Sequence, residues 1–274
     1  MICTVGEVPV SYEVYGSGRP LLLIHGFGPD HRLMSGCFEP VFEKRAGWRR
    51  IYLDLPGMGK TPAPEWLHCS DQMLELLGWF VDQTLPLEEY CVAGESYGGY
   101  LAQGLAAKYP RRIRGMHLLC ALITADPNRR RLPRHEVLER EGGLLERLTP
   151  AERAAFEPLG VIQTSATWEK VRRDILPGLA ARDPEFMDRL WNEGYAFADE
   201  AALAGAVFDR PVLILAGRQD SAVGYEDALD LLPRYPHASL AVLDRAGHNL
   251  QIDQPELFEK LTLEWLARVE KEWG

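Results

Sequence analysis

The sequence of 274 residues predicts an α/β protein, a mostly parallel eight-stranded sheet with helices on both faces, interrupted by one long helical insertion. Three observations predict it. Short runs rich in Val, Ile and Leu end at Gly or Asp, as strands buried on both faces of a parallel sheet do. Stretches with helical apolar periodicity alternate with these runs. From about residue 125 to 207 the pattern is helical, with no convincing strand run.

Taken in order, two strands around Gly6-Glu7 read as an opening hairpin. Six runs complete the sheet: Leu21–Ile24, Ile51–Leu53, Tyr90–Ala93, Met116–Cys120, Val212–Leu215 and Leu240–Leu243. Between them Ser70–Thr84 places Met73, Leu76, Leu77 and Phe80 on one helical face. Tyr97–Lys108 and Tyr225–Leu232 are further helices, and Pro255–Lys271 carries a stripe of Leu257, Leu261, Leu263, Leu266 and Val269. Inside the insertion, Thr149-Pro150-Ala151-Glu152 is an N-cap, a first-turn proline and a capping-box acid. Asp183-Pro184-Glu185 starts another helix, and Val171, Ile175 and Leu179 share one helical face.

Composition removes several classes. With 46% hydrophobic and 26% charged residues, the chain is neither disordered nor fibrous. Its 30 basic and 40 acidic residues leave a formal charge of −10, which argues against nucleic acid or an anionic membrane as the main partner. The short Arg129-Arg130-Arg131 stretch reads as a solvated face. Five cysteines, with no C-x-x-C pair among them, give no metal or redox signature. Cys91 and Cys120 sit in apolar runs as small hydrophobes. No secretory signal or membrane span is apparent, so a cytoplasmic protein acting on a small molecule is expected.

The chemistry concentrates at strand ends. Tyr90-Cys-Val-Ala-Gly94-Glu95-Ser96-Tyr97-Gly98-Gly99 is a strand run, a Gly-x-Ser-x-Gly turn and a helix in succession. Gly94 and Gly98 permit a turn tight enough to lift Ser96 clear, above a helix N-terminus that favours negative charge. A serine hydroxyl needs a base, and that base needs an orienting group. His248 follows the last strand run and Asp220 the one before it, both at the sheet edge where active sites gather. Asp244 is the rival acid by proximity in sequence. Because the insertion separates Ser96 from Asp220 and His248, both flanks must belong to one fold.

With Leu23-Ile24-His25-Gly26-Phe27-Gly28 and Asp54-Leu55-Pro56-Gly57-Met58-Gly59 added, the chain resembles the α/β-hydrolase fold superfamily, in its serine-nucleophile branch, over almost its whole length. The resemblance implies a core of residues 1–124 and 208–274, with 125–207 as a helical lid between strands 6 and 7. It also implies an oxyanion hole of the Phe27 and Tyr97 amides. His25, with Gly26 and Gly28, braces that turn, and Asp54 is a turn-forming device. Leu144, Leu148, Phe156, Trp168, Phe186 and Trp191 either cover an apolar pocket above Ser96 or pack the insertion internally. His117 reads as a core histidine; His31, His68, His135 and His237 read as surface residues.

The expected activity is that of a serine hydrolase, foremost a carboxylic ester hydrolase working through an acyl-enzyme, with no metal or organic cofactor. C–C bond hydrolysis and lid-bearing aminopeptidase or amidase chemistry are the alternatives among enzymes. A ligand-binding protein on a hydrolase scaffold is the alternative of another class. Ser96 stands where the family's epoxide hydrolases and haloalkane dehalogenases carry an aspartate. The C–C hydrolases that cleave ring-fission products usually carry Asn before the nucleophile and Trp after the histidine, where this chain has Glu95 and Asn249. Glu95 either faces the pocket, disfavouring anionic substrates, or braces a neighbouring loop.

Overall fold

The computed structural model describes residues 1–273. The chain opens on a hairpin of β1 (Ile2–Val5) and β2 (Val8–Gly16). There follow β3 (Arg19–Ile24), α1 (Arg32–Phe42), β4 (Trp48–Leu53), α2 (Ser70–Thr84), β5 (Tyr90–Glu95), α3 (Tyr97–Lys108) and β6 (Ile113–Leu119). The next stretch holds β7 (Glu139–Arg140), α4 (Pro150–Phe156), β8 (Ile162–Gln163), α5 (Ser165–Asp174), α6 (Leu176–Ala181), α7 (Pro184–Glu193) and α8 (Glu200–Gly205). The chain closes with β9 (Val212–Gly217), α9 (Glu226–Leu229), β10 (Ala238–Leu243), α10 (Leu250–Asp253) and α11 (Pro255–Trp273).

Eight strands form one sheet in the order β1-β2-β4-β3-β5-β6-β9-β10. From β4 to β10 every pairing is parallel; β2 runs antiparallel to both its neighbours. Side chains alternate across a strand, so the continuous apolar runs feed two cores at once. Leu22, Ile24, Val92 and Ile214 join one core with α2 and α3, while Leu21, Leu23, Cys91 and Leu215 join the other with α1 and α11. Each such side chain contributes about 1.5–3 kcal/mol on burial. Because β3, β5, β9 and β10 run parallel, the loops that follow them open on one edge of the sheet, and that edge receives the site.

The stretch between β6 and β9 is packed into both cores. Phe186, Met187 and Leu190 of α7 join the first; Leu144, Phe156, Trp168 and Val171 join the second, with Leu148 half-buried against it. Among the six apolar residues singled out there, Trp191 stays 41% exposed. No helix among the described residues is long and apolar enough to cross a membrane.

Several local readings need correction. The face shared by Val171, Ile175 and Leu179 is not one helix, because the chain breaks at Ile175, where Pro177 supplies no N–H to continue α5. The helix expected over 225–232 covers only Glu226–Leu229. In α11 the buried face is Phe258, Thr262, Trp265, Leu266 and Val269, leaving Leu257 exposed and Leu261 and Leu263 half-buried. On that buried face the Trp265 indole donates to the Pro211 carbonyl at 3.2 Å. Residues 139–140 and 162–163 form a two-residue parallel ladder within the stretch read as strand-free. α1 has no clear signature in the sequence, since Pro40 lies inside it and the side chain of its N-cap, His31, makes no capping bond.

Candidate active site

Ser96 sits between β5 and α3 with φ 51° and ψ −117°, a left-handed conformation that an L-residue holds only under constraint. The constraint is local. Its N–H donates to Leu119 at 3.0 Å, and its carbonyl accepts from Tyr100 at 3.1 Å and Leu122 at 2.9 Å. The turn closes so tightly that a methyl group on Gly98 would lie 2.2 Å from the Ile24 carbonyl oxygen. One on Gly94 would lie 2.2 Å from the carbonyl oxygen of Gly98. The Gly-x-Ser-x-Gly spacing is thus a steric requirement of the turn.

The structure brings Ser96, His248 and Asp220 into one line. His248 Nε2 is 3.0 Å from Ser96 Oγ and Nδ1 is 2.9 Å from Asp220 Oδ2. A carboxylate only accepts, so Nδ1 carries the proton and the neutral ring's Nε2 is free to accept from the serine. Asp220 is fully buried, and its other oxygen accepts from the amides of Ala222 at 2.9 Å and Val223 at 3.1 Å. Asp244 is excluded as the acid: it is exposed and accepts from Gln219 Nε2 at 2.9 Å. Gln219 also accepts from Ala246 N–H at 3.1 Å, tying the Asp220 loop to the His248 loop. Asp253 adds a second tie by accepting from Gly247 N–H at 2.9 Å. Burial pushes the Asp253 carboxyl up to about 7.

Burial is the largest influence on His248 and pulls its pKa down, but the Asp220 and Glu95 carboxylates outweigh it and hold it up at about 9. Glu95 is buried, with Oε1 3.4 Å from His248 Nε2. Burial pushes its own pKa up to about 7, against the pull of the imidazolium. It therefore faces the centre of the site and also holds the 25–28 turn, through the Gly26 amide. Asn249 is the N-cap of α10, and its carbonyl accepts from Ile252 and Asp253.

The turn after β3 comes against Ser96: a methyl group on Gly26 would lie 3.2 Å from Ser96 Cβ. His25 braces it from inside. Its Nδ1 donates to the Gly26 carbonyl at 2.8 Å and Nε2 accepts from Leu55 N–H at 3.0 Å, a pattern that only the neutral ring satisfies. Burial lowers its pKa accordingly. Gly28 takes φ +108°. Tyr97 is the first residue of α3, so its amide has no carbonyl one turn earlier to bond.

The Phe27 ring meets Tyr97 at 5.6 Å, Tyr195 at 5.1 Å and Trp191 at 6.0 Å, joining the 125–207 segment to this turn. Ser70 reinforces the contact, accepting from Tyr97 Oη at 2.7 Å and donating to the Tyr195 carbonyl at 2.7 Å. In the triple arginine, Arg129 and Arg131 are exposed, as a solvated face requires, and only Arg130 departs from that reading by lying half-buried. Arg130 donates to the carbonyls of Thr124, Ala125 and Ala222 and lies over Trp191, while Arg131 pairs with Asp227 and Asp230. Those carbonyls are distant in sequence or unmarked by residue type, so no sequence signal pointed to them.

His31 is not a surface residue. It is buried, and both its amide and Nδ1 donate to Asp54 Oδ1, at 3.0 and 2.7 Å; Lys60 N–H donates to Oδ2 at 3.0 Å. Burial acts to raise the Asp54 pKa, but these donors prevail and lower it from 3.8 to about 2. Its folded value lies below the unfolded one, so its stabilisation is present above 3.8 and disappears as pH falls through about 2. We expect Asp54→Asn to lower stability at neutral pH by about 2–4 kcal/mol in urea unfolding. That difference should shrink towards pH 2, and a pH-independent difference would reject the ionic role. His117 is a core histidine bonded to Thr262, and His68, His135 and His237 are exposed.

A family model described as alpha/beta hydrolase fold matches residues 19–255. A 2-hydroxy-6-oxononadienedioate/2-hydroxy-6-oxononatrienedioate hydrolase of Paraburkholderia phymatum is 28% identical over 271 residues, covering 96% of this chain and 92% of that protein. Among solved structures, an alpha/beta superfamily hydrolase from Oenococcus oeni is 33% identical with a TM-score of 0.88, covering 95% of this chain and 96% of that one. A meta-cleavage product hydrolase from Pseudomonas fluorescens is 25% identical with a TM-score of 0.72, covering 97% of each chain.

Proposed function

The chain belongs to the α/β-hydrolase fold family, and on that premise we propose that it is a serine hydrolase cleaving a C–C bond beside a ketone in a small molecule. The observation that carries the serine chemistry is the line from Asp220 through His248 to Ser96, with separations of 2.9 and 3.0 Å. The bond type is supported by similar proteins that include a meta-cleavage product hydrolase and a 2-hydroxymuconate semialdehyde hydrolase, which favour this reading over the ester reading that the sequence puts first.

In this reading Ser96 Oγ attacks the ketone carbonyl as His248 Nε2 takes its proton. The amides of Phe27 and Tyr97 receive the oxyanion, each such donor being worth about 3–4 kcal/mol in related chemistry. Collapse expels a carbon leaving group, which must be stabilised as an enolate, and His248 returns the proton to it. Water activated by the same ring then hydrolyses the acyl-enzyme. Residues 125–207 act as the lid, with Trp191 and Tyr195 closing over Phe27.

Ester hydrolysis is the second reading, favoured by a specific observation. Glu95 places a carboxyl beside the nucleophile, where a dianion such as the dioate named for the Paraburkholderia relative would meet repulsion. Under the C–C reading, the same carboxyl makes the preferred substrate a diketone with no carboxylate near the scissile bond. A panel of neutral and dianionic vinylogous diketones, phenyl esters and anilides separates the readings. We expect the neutral diketone to exceed the dianion in kcat/KM by about tenfold or more. Rapid ester turnover with no cleavage of any diketone would replace the C–C reading.

A further inference from the structure

The triad needs one carboxylate on its histidine, and the structure supplies a second on the ring's other side. Glu95 Oε1 stands 3.4 Å from Nε2, the nitrogen that faces Ser96 Oγ at 3.0 Å. The placement is built in. Glu95 ends β5, beside the nucleophile, and is 2% exposed. A methyl group on Gly26 would lie 2.1 Å from its Oε2, so the carboxyl occupies the space that any side chain at Gly26 would need. Among the described residues no lysine or arginine lies within ion-pair distance of it; its charged partner is His248.

We propose that Glu95 is a positioning residue for proton transfer, whose carboxylate holds the imidazolium of His248 from the nucleophile's side. It thereby eases serine attack while favouring a protonated resting site. This rests on the serine-hydrolase reading. As the Ser96 Oγ–carbon bond forms, the serine proton passes to Nε2, and the ring's positive charge then lies between Asp220 and Glu95. The proton goes on to the leaving group. Glu95 gains no proton in the step and acts by its charge alone.

The groups around the pair set the direction of the effect. On His248 act Asp220 and Glu95, which favour its charged form, and Arg130, which opposes it. Asp220 also acts on Glu95 through its charge, while Glu95 acts on Tyr195, Cys37 and Cys120, which burial keeps neutral. With Glu95 charged, the ring releases its proton only near pH 9, so the wild-type rate should rise through the alkaline range.

Glu95→Gln should move the acid limb of the kcat/KM profile down by about one pH unit or more. Above the wild-type limb, where His248 is already neutral, the variant should be slower by about tenfold, because the transition-state imidazolium has lost a counter-charge. The two profiles therefore converge on the acid side, where the lower limb offsets the slower plateau, and separate above it. Glu95→Asp, which keeps the charge, should retain most of the alkaline displacement. Titration of ring-labelled His248 by NMR, without substrate, gives an independent reading on the wild-type protein and on whichever variant folds.

Superimposable pH profiles, or a wild-type His248 that titrates near the ordinary histidine value of about 6.5, would overturn the proposal and leave Glu95 as a brace for the Gly26 turn. Loss of the serine-hydrolase reading would look different. Ser96 would resist a fluorophosphonate probe at every pH, whatever the histidine titration showed.

Discussion

Ser96→Ala removes turnover, with kcat expected to fall by about 10⁶-fold for every substrate the wild type accepts. The loss should come without unfolding. The Ser96 hydroxyl bonds His248 in the structure, while its backbone amide and carbonyl, which hold the turn, are unchanged by the substitution. The thermal midpoint should therefore stay within a few degrees of wild type. Retained activity would show that some other group makes the first bond, and the assignment of the site would be wrong.

Asp220→Asn is the second large effect, and its cause can be read from hydrogen bonds. Asp220 Oδ1 accepts from two amides, Ala222 and Val223, and Oδ2 accepts from His248 Nδ1. An asparagine has one oxygen, which the two fixed amide donors claim. Its NH₂ then faces Nδ1, which must accept, so the ring proton moves to Nε2 and points at Ser96. A base carrying its proton on that nitrogen cannot take another from serine, and kcat should fall by about 10⁴-fold. The variant's pH profile should not recover this at alkaline pH. Near-normal kcat in Asp220→Asn would mean that Asp220 only holds its own loop.

Much of this site is legible in the sequence because its parts lie where chain direction imposes a rule. Ser96, Asp220 and His248 each follow an apolar strand run, and parallel strands place such positions on one edge. Gly94 and Gly98 are legible because nothing larger fits beside Gly98 and Ile24. What stays hidden depends on contacts between segments far apart. Strand parity puts Glu95 on the same face as Cys91 and Ala93, but not that Gly26 and His248 close around it. His31 looks like a surface residue until α1 is recognised, and its true partner, Asp54, is 23 positions away. The buried face of α11 includes Trp265, whose bond to the Pro211 carbonyl periodicity alone does not show.

Bond preference is the least legible property. Glu95 and Asn249 depart from the pattern of ring-fission hydrolases and by themselves point towards esters, whereas similarity over nearly the whole chain supports the C–C proposal. Both observations fit a C–C hydrolase whose substrate lacks the second carboxylate. That combination is why charge, rather than size, is the variable to test first.

A covalent intermediate at Ser96 is the step on which the proposed mechanism turns. Rapid acid quenching of the wild-type protein during turnover of a p-nitrophenyl ester, followed by peptide mapping, should find the acyl group on Ser96 alone. Product formation at the wild-type rate in Ser96→Ala, or an acyl group carried on another residue, would contradict the mechanism.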